Sequence, residues 1–79
     1  MTKEERIQLH QDLKEFYGSI TEVADRAGVT IHYVRRVLLN VRNSEEVLTK
    51  ACEVLKERRE QRHEMQQKQA RLLRAAATL

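Results

Sequence analysis

The 79-residue chain has no proline, no tryptophan, one cysteine and only two glycines. With so few chain-breaking residues, little of it is punctuated as turn or strand, and an all-α composition is expected. Two tyrosines and one phenylalanine leave few side chains to stack on bases. Lone Cys52 excludes an intramolecular disulfide, and a free thiol fits a reducing, cytoplasmic setting. No apolar stretch approaches membrane-spanning length, and the opening MTKEERIQLH lacks the apolar run of a signal peptide, so no membrane association is expected. A chain this short makes one small domain whose core is too modest for a deep catalytic cleft. It also lacks a glycine-rich phosphate loop and a nucleophile with a paired base. Glu53, Glu57, Glu60 and Glu64 alternate with Lys and Arg as on a solvated helix face. His10, His32 and His63 are scattered without ligand spacing. These patterns predict no enzyme activity, no metal and no cofactor.

What is present is charge, at 34% of the residues, and its distribution is uneven. Residues 1–18 sum to −1, residues 19–43 to +2 and residues 44–79 to +2; within 61–79 there are four basic residues and one acidic. The positive charge avoids the N-terminal segment and gathers in the middle and the tail, as suits a polyanionic partner.

Caps and periodicity place four helices. Thr2 with Glu5 is a capping box opening a helix over about 2–17, with Leu9, Leu13 and Phe16 as its apolar stripe and Gly18 ending it. Ser19 with Glu22 reads as a second capping box, opening a helix over about 20–27 on Ile20, Val23, Ala24 and Ala27. Gly28 suits the left-handed turn that follows, and Thr30 is a good N-cap for a third helix over 31–39. A fourth opens at about 44 with Asn43 or Ser44 as cap, and Val47, Leu48, Ala51, Val54 and Leu55 close a core. Nothing breaks the helical pattern up to Ala77.

The third helix carries the puzzle. Val34, Val37, Leu38 and Val41 form a stripe expected to face the core. His32, Arg36 and Leu39 lie opposite, flanked by Ile31, Arg35 and Tyr33, and no acid occurs from Ala27 to Asn43. Helix, short glycine turn and helix over 20–39 is the helix-turn-helix pattern. A helix entering the major groove needs donors for guanine N7 and O6 and apolar surface for thymine methyls, and it needs donors to phosphates near its start. Arg36 suits the first role, Ile31 and Leu39 the second, Thr30 and Tyr33 the third. The bland readings are a solvated His32, a Tyr33 packed on the second helix and a Leu39 used between helices.

The stretch SITEVADRAGVTIHYVRRVLLN, followed by SEEVLTKACEVL, resembles the headpiece of the lactose-repressor family of bacterial transcription regulators. Val23, Ala24, Ala27, Gly28, Val29, Val34, Arg36, Val37 and Leu38 match the family pattern, with Thr30 standing for its serine, over roughly residues 19–57. The resemblance implies sequence-specific double-stranded DNA binding by a dimer, with Ile31, His32 and Arg36 at base-reading positions and Thr30 on phosphate. Arg35 and Tyr33 depart from the family residues at their positions. The helix preceding the motif is closer to a lambda-repressor-like arrangement. The family's hinge and effector domain are missing, so no small-molecule effector is expected.

The expected architecture is thus an all-α, lambda-repressor-like helix-turn-helix domain of four helices over 1–57, with 58–79 continuing the last helix. The expected DNA-contacting residues are Ser19, Thr30, Ile31, His32, Tyr33, Arg35, Arg36 and Arg42. With Leu48 at position a of a heptad, the a and d positions include Arg58, Arg62, Met65, Gln69, Leu72, Ala76 and Leu79. Three fates fit this tail: self-association into a homodimer, a solvated helix, or a basic arm on DNA through Arg62, Lys68, Arg71 and Arg74. The expected function is a small bacterial or phage transcription regulator. The alternatives are an oligomeric DNA-docking subunit in phage packaging or recombination, and a helical protein-interaction module.

Overall fold

Thr2 accepts a hydrogen bond at Oγ1 from the Glu5 N–H, and Glu5 Oε1 accepts from the Thr2 N–H. This reciprocal cap starts the first of four helices in a computed structural model that describes residues 1–77. The helices are α1 (Lys3–Lys14), α2 (Ser19–Ala27), α3 (Ile31–Leu38) and α4 (Glu45–Ala77), and no strand occurs among the described residues. Thr78 and Leu79, the last positions assigned above to the tail helix, lie outside the described residues.

α1 stops at Lys14, a turn earlier than the apolar spacing predicts. Phe16 therefore belongs to the α1–α2 corner and is partly buried there against the core. Gly18 precedes α2 with φ +74°, a left-handed conformation that costs a glycine little. Ser19 is a correction. It does not cap α2, whose start has no side-chain cap. Ser19 is buried inside the first turn, and its hydroxyl donates to the Leu13 carbonyl. The Leu13 carbonyl at the end of α1, which also accepts from the Phe16 N–H (3.0 Å), takes the hydroxyl in place of a cap on α2.

The turn between α2 and α3 follows its sequence closely. Gly28 has φ +68°, and its N–H donates to the Asp25 carbonyl (3.3 Å) while the Val29 N–H donates to that of Ala24 (3.0 Å). This pair of bonds is the Schellman arrangement that satisfies the last carbonyls of a helix. Thr30 Oγ1 then accepts from the Tyr33 N–H (3.1 Å) and caps α3.

α3 ends by the same device on a different residue. Asn40 is the one non-glycine residue with positive φ among those described (65°), with Asn40 N–H to Val37 (3.1 Å) and Val41 N–H to Arg36 (2.8 Å). Asparagine tolerates this conformation better than other non-glycine residues. The break at Asn40 overturns one expectation: Val41 lies past the helix, is 60% exposed and contributes nothing to the core. Ser44 Oγ accepts from the Val47 N–H and starts α4.

The core comprises Leu9 and Leu13 of α1, Val23 and Ala24 of α2, Val34, Val37 and Leu38 of α3, and Val47, Leu48, Ala51, Val54 and Leu55 of α4. All four helices contribute, and α4 packs most extensively on α2. Burial ends with Arg58, which is partly buried; residues 59–77 are exposed throughout. The chain is a small helical body with one helix running out of it, 56 Å in its longest dimension. No helix among the described residues is long and apolar enough to cross a membrane.

Candidate nucleic-acid interface

Burying Val34, Val37 and Leu38 turns the opposite side of α3 outward. His32, Arg35 and Arg36 are exposed on it, and Leu39, at 49% exposure, follows at its end. The interhelix role considered for Leu39 is therefore not what the fold uses. Ile31 and Tyr33 are partly buried against the core, so each offers only part of its surface outward. Arg42 is exposed just past the Asn40 stop, beside Val41. Ser19, the remaining candidate, has its hydroxyl turned inward to Leu13, out of reach of any external partner. The structure thus brings Thr30, His32, Arg35, Arg36 and Arg42 to the surface on α3 and its two flanking turns, with Ile31 and Tyr33 half in the core.

The charges of this surface are uncompensated. The side chains of Arg35, Arg36 and Arg42 form no hydrogen bond or ion pair among the described residues. Every other arginine in residues 1–62 is engaged. Arg26 binds Glu22 (2.8 Å) and Glu57 (2.6 Å). Arg58 binds Glu22 (2.9 Å) and Arg59 binds Asp12 (3.1 Å). Arg62 reaches Glu15 (3.7 Å) and stacks on the Phe16 ring, 4.1 Å from its centroid. Two of these acids have their carboxyls stabilised as anions: Arg58 holds the Glu22 carboxyl below its ordinary range, and Arg26 does the same for Glu57. Arginine left unpaired on a small folded surface is free to bind an external anion, and its planar fork suits phosphate or a guanine edge.

Two α1 residues support this surface, and neither was evident from the sequence. Arg6 is buried at 7% exposure and crosses the body to the end of α3. Its Nη1 donates to the carbonyls of Val37 (3.3 Å) and Arg42 (3.2 Å), and its Nη2 to Asn43 Oδ1 (2.8 Å). It thereby fixes the turn that presents Arg42. His10, also 7% exposed, lies where Lys14 and Arg35 act on it electrostatically. Burial first, then Lys14 and Arg35, hold its imidazole below the ordinary histidine value. The neutral form of His10 keeps a further positive charge from forming beneath Arg35.

A shallow cleft of about 240 Å³ opens between the α1–α2 corner and α3, with Lys14, Gly18, Thr21 and Arg35 on its walls. Two basic side chains therefore line this cleft beside the first turn of α2, where backbone N–H groups point outward. No group of three or more His, Cys, Asp or Glu side chains that could hold a metal occurs among the described residues. Compared with protein-family models, curated proteins and solved structures, the chain matches none.

Proposed function

We propose that the chain is a sequence-specific double-stranded DNA-binding protein, a small transcription regulator of helix-turn-helix type whose α3 enters the major groove. The observation that carries this reading is that Arg35, Arg36 and Arg42 are exposed and unpaired along a segment that contains no acid. The rest of the folded body pairs its arginines. The α2–Gly28–α3 geometry supports it, because a capped, short, outward-facing helix is the element that major-groove readers use.

In this reading Arg36 donates to guanine N7 and O6 and His32 reads the neighbouring pair. The exposed parts of Ile31 and Leu39 meet thymine methyls. Thr30, Tyr33, Arg35 and Arg42 hold phosphates, with Lys14 adding charge across the cleft from Arg35. The helix beyond residue 58 joins two copies into a homodimer that binds an inverted repeat. The protein acts without a small-molecule effector, in the cytoplasm.

The test is selection of the full chain against a random duplex library, followed by binding to the enriched site at several salt concentrations. Enrichment of one inverted repeat, with affinity falling steeply with salt, is the expected result. An unenriched library, with no retention of duplex at low salt, would overturn the reading.

A further inference from the structure

The turn between α3 and α4 is exposed from Leu39 to Asn43, yet its backbone is tied down. At Asn40, with φ +65°, the chain doubles back on the end of α3. The Arg36 carbonyl accepts from both the Val41 N–H (2.8 Å) and the Arg42 N–H (3.2 Å). The Arg42 carbonyl in turn accepts from Arg6 Nη1 (3.2 Å). Arg42 is therefore held through both polar groups of its own backbone. Its side chain is exposed and has no partner among the described residues.

The group doing part of this holding is an unlikely one to bury. Arg6 is 7% exposed, and its hydrogen-bonding partners are two carbonyls and the Asn43 amide oxygen, with no carboxylate among them. Its Nε is buried with no partner among the described residues. A cation buried on neutral partners carries a desolvation cost that an apolar side chain avoids, so packing alone does not account for it. The guanidinium fork does one thing that an apolar side chain cannot. Its two terminal nitrogens reach Val37, Arg42 and Asn43 at once, and so join the last turn of α3 to the residue that carries the free charge.

We infer that Arg6 is a positioning residue for DNA: from the interior it holds Arg42 in a fixed place relative to Arg36, so that Arg42 grips a backbone phosphate while α3 lies in the groove. This rests on the DNA-binding reading above. A long side chain on a mobile turn must order its backbone as well as itself on binding, and that loss of freedom lowers affinity. With the Arg42 backbone already held in the free protein, only the side chain remains to be ordered. The same bonds fix the spacing between a residue suited to a base edge and one suited to a phosphate. A fixed spacing lets a phosphate contact set the register of the reading helix. Without Arg6, Arg42 would still be present, charged and exposed, but on a turn free to move.

Phosphate contacts are independent of sequence, so the probe is a random-sequence duplex bound by the full chain at several salt concentrations. The variants are Arg42→Ala, Arg6→Met, Arg6→Lys and the double variant Arg6→Met with Arg42→Ala. Each is compared at equal concentration of folded protein, judged by circular dichroism. Arg42→Ala should reduce the slope of log affinity against log salt by about one. Arg6→Met should reduce it equally although Arg42 is intact, and the double variant should fall no further than Arg42→Ala alone. Arg6→Lys keeps the charge without the fork, and should behave as Arg6→Met does. In the absence of DNA, the Arg42 amide order parameter from nitrogen-15 relaxation should fall in Arg6→Met from about 0.85 to below about 0.6.

A purely structural Arg6 would lower the unfolding midpoint but leave the salt slope of the folded molecules and the Arg42 order parameter unchanged. That result would overturn the inference. So would full recovery of the slope in Arg6→Lys, which would assign the effect to charge, or additive losses in the double variant. If Arg6→Met does not fold, Asn43→Ala removes one acceptor of the fork at an exposed position. It should lower the order parameter and the slope together, and leaving both unchanged would count against the inference. A parent chain that retains no duplex at low salt would remove the DNA-binding reading and this inference with it. A parent that binds, with variants that keep its slope, would remove the inference alone.

Discussion

Arg35, Arg36 and Arg42, on and just past α3, face outward without partners. Arg58, Arg59 and Arg62, on α4, each reach back to an acid of α1, α2 or the corner between them. The residue type is the same, the helices belong to one small body, and the uses are opposite. The difference lies in what each helix faces. α4 runs past Asp12, Glu15 and Glu22, which are within reach of its guanidinium groups, whereas the segment around α3 contains no acid from Ala27 to Asn43. Positive charge held by acids secures the orientation of the long helix. Positive charge left without them is available to a partner.

Arg6 tests the comparison from a third position, since it is a buried arginine that serves the unpaired ones. Arg6→Ala removes a charged donor from two carbonyls and from Asn43. The expected loss is about 3 kcal/mol of unfolding free energy, read by urea denaturation. A loss well under about 1 kcal/mol would show that the end of α3 does not depend on it.

Arg36→Ala should separate function from folding. Binding to the selected duplex should weaken by about 2 kcal/mol while random duplex is scarcely affected and the denaturation midpoint stays put. An equal loss on both duplexes would make Arg36 a phosphate contact instead.

Arg58→Ala should behave in the opposite way. Its pair with Glu22 is partly exposed, so about 0.5–1 kcal/mol of stability is expected to go, with DNA affinity per folded molecule unchanged. A variant that kept its stability but lost DNA binding would merge the two classes of arginine and remove the comparison.

The smallest effects should appear as two windows of pH. His10 has its folded pKa lowered from about 6.5, so the unfolded chain takes up its proton first. The contribution of neutral His10 is complete above that value and is lost as pH falls below it. Glu22 and Glu57 are lowered from about 4.5, so their contribution persists to lower pH and fades only below that. Thermal melts from about pH 7.5 to about pH 3 should show both declines. His10→Gln should abolish the upper one alone, and Glu22→Gln should shrink only the lower. A melting temperature flat between about pH 7 and pH 5 would rule out the burial of a neutral His10.

The four helices were legible because their signals are local. The Thr2–Glu5 box, the Gly28 turn and the Thr30 cap are each written within a few consecutive residues. The i, i+3, i+4 spacing marks the side of each helix that must leave water. The outward set of His32, Arg35 and Arg36 follows from the same spacing, since the side opposite a buried stripe has nowhere else to go.

Other features depended on groups outside the helical pattern in which they were read. Ser19 looks like a cap, but the Leu13 carbonyl competed for its hydroxyl. Val41 fits the stripe of α3 until Asn40 turns left-handed ahead of it, and no apolar count detects that. Arg6 and His10 stand outside the apolar stripe of Leu9, Leu13 and Phe16, and become interior only because α3 and its C-terminal turn fold over them.

The sequence alone determined where helices start, which faces are apolar and where acids are missing, because hydrogen-bonding caps and helical periodicity act over one or two turns. Only the tertiary structure decided which arginines are paired, and that Arg58 and Arg62 belong to the body while the apolar face of α4 continues past them. Those outcomes depend on which acids, carbonyls and rings the fold brings within a few ångströms of side chains up to forty-seven positions away.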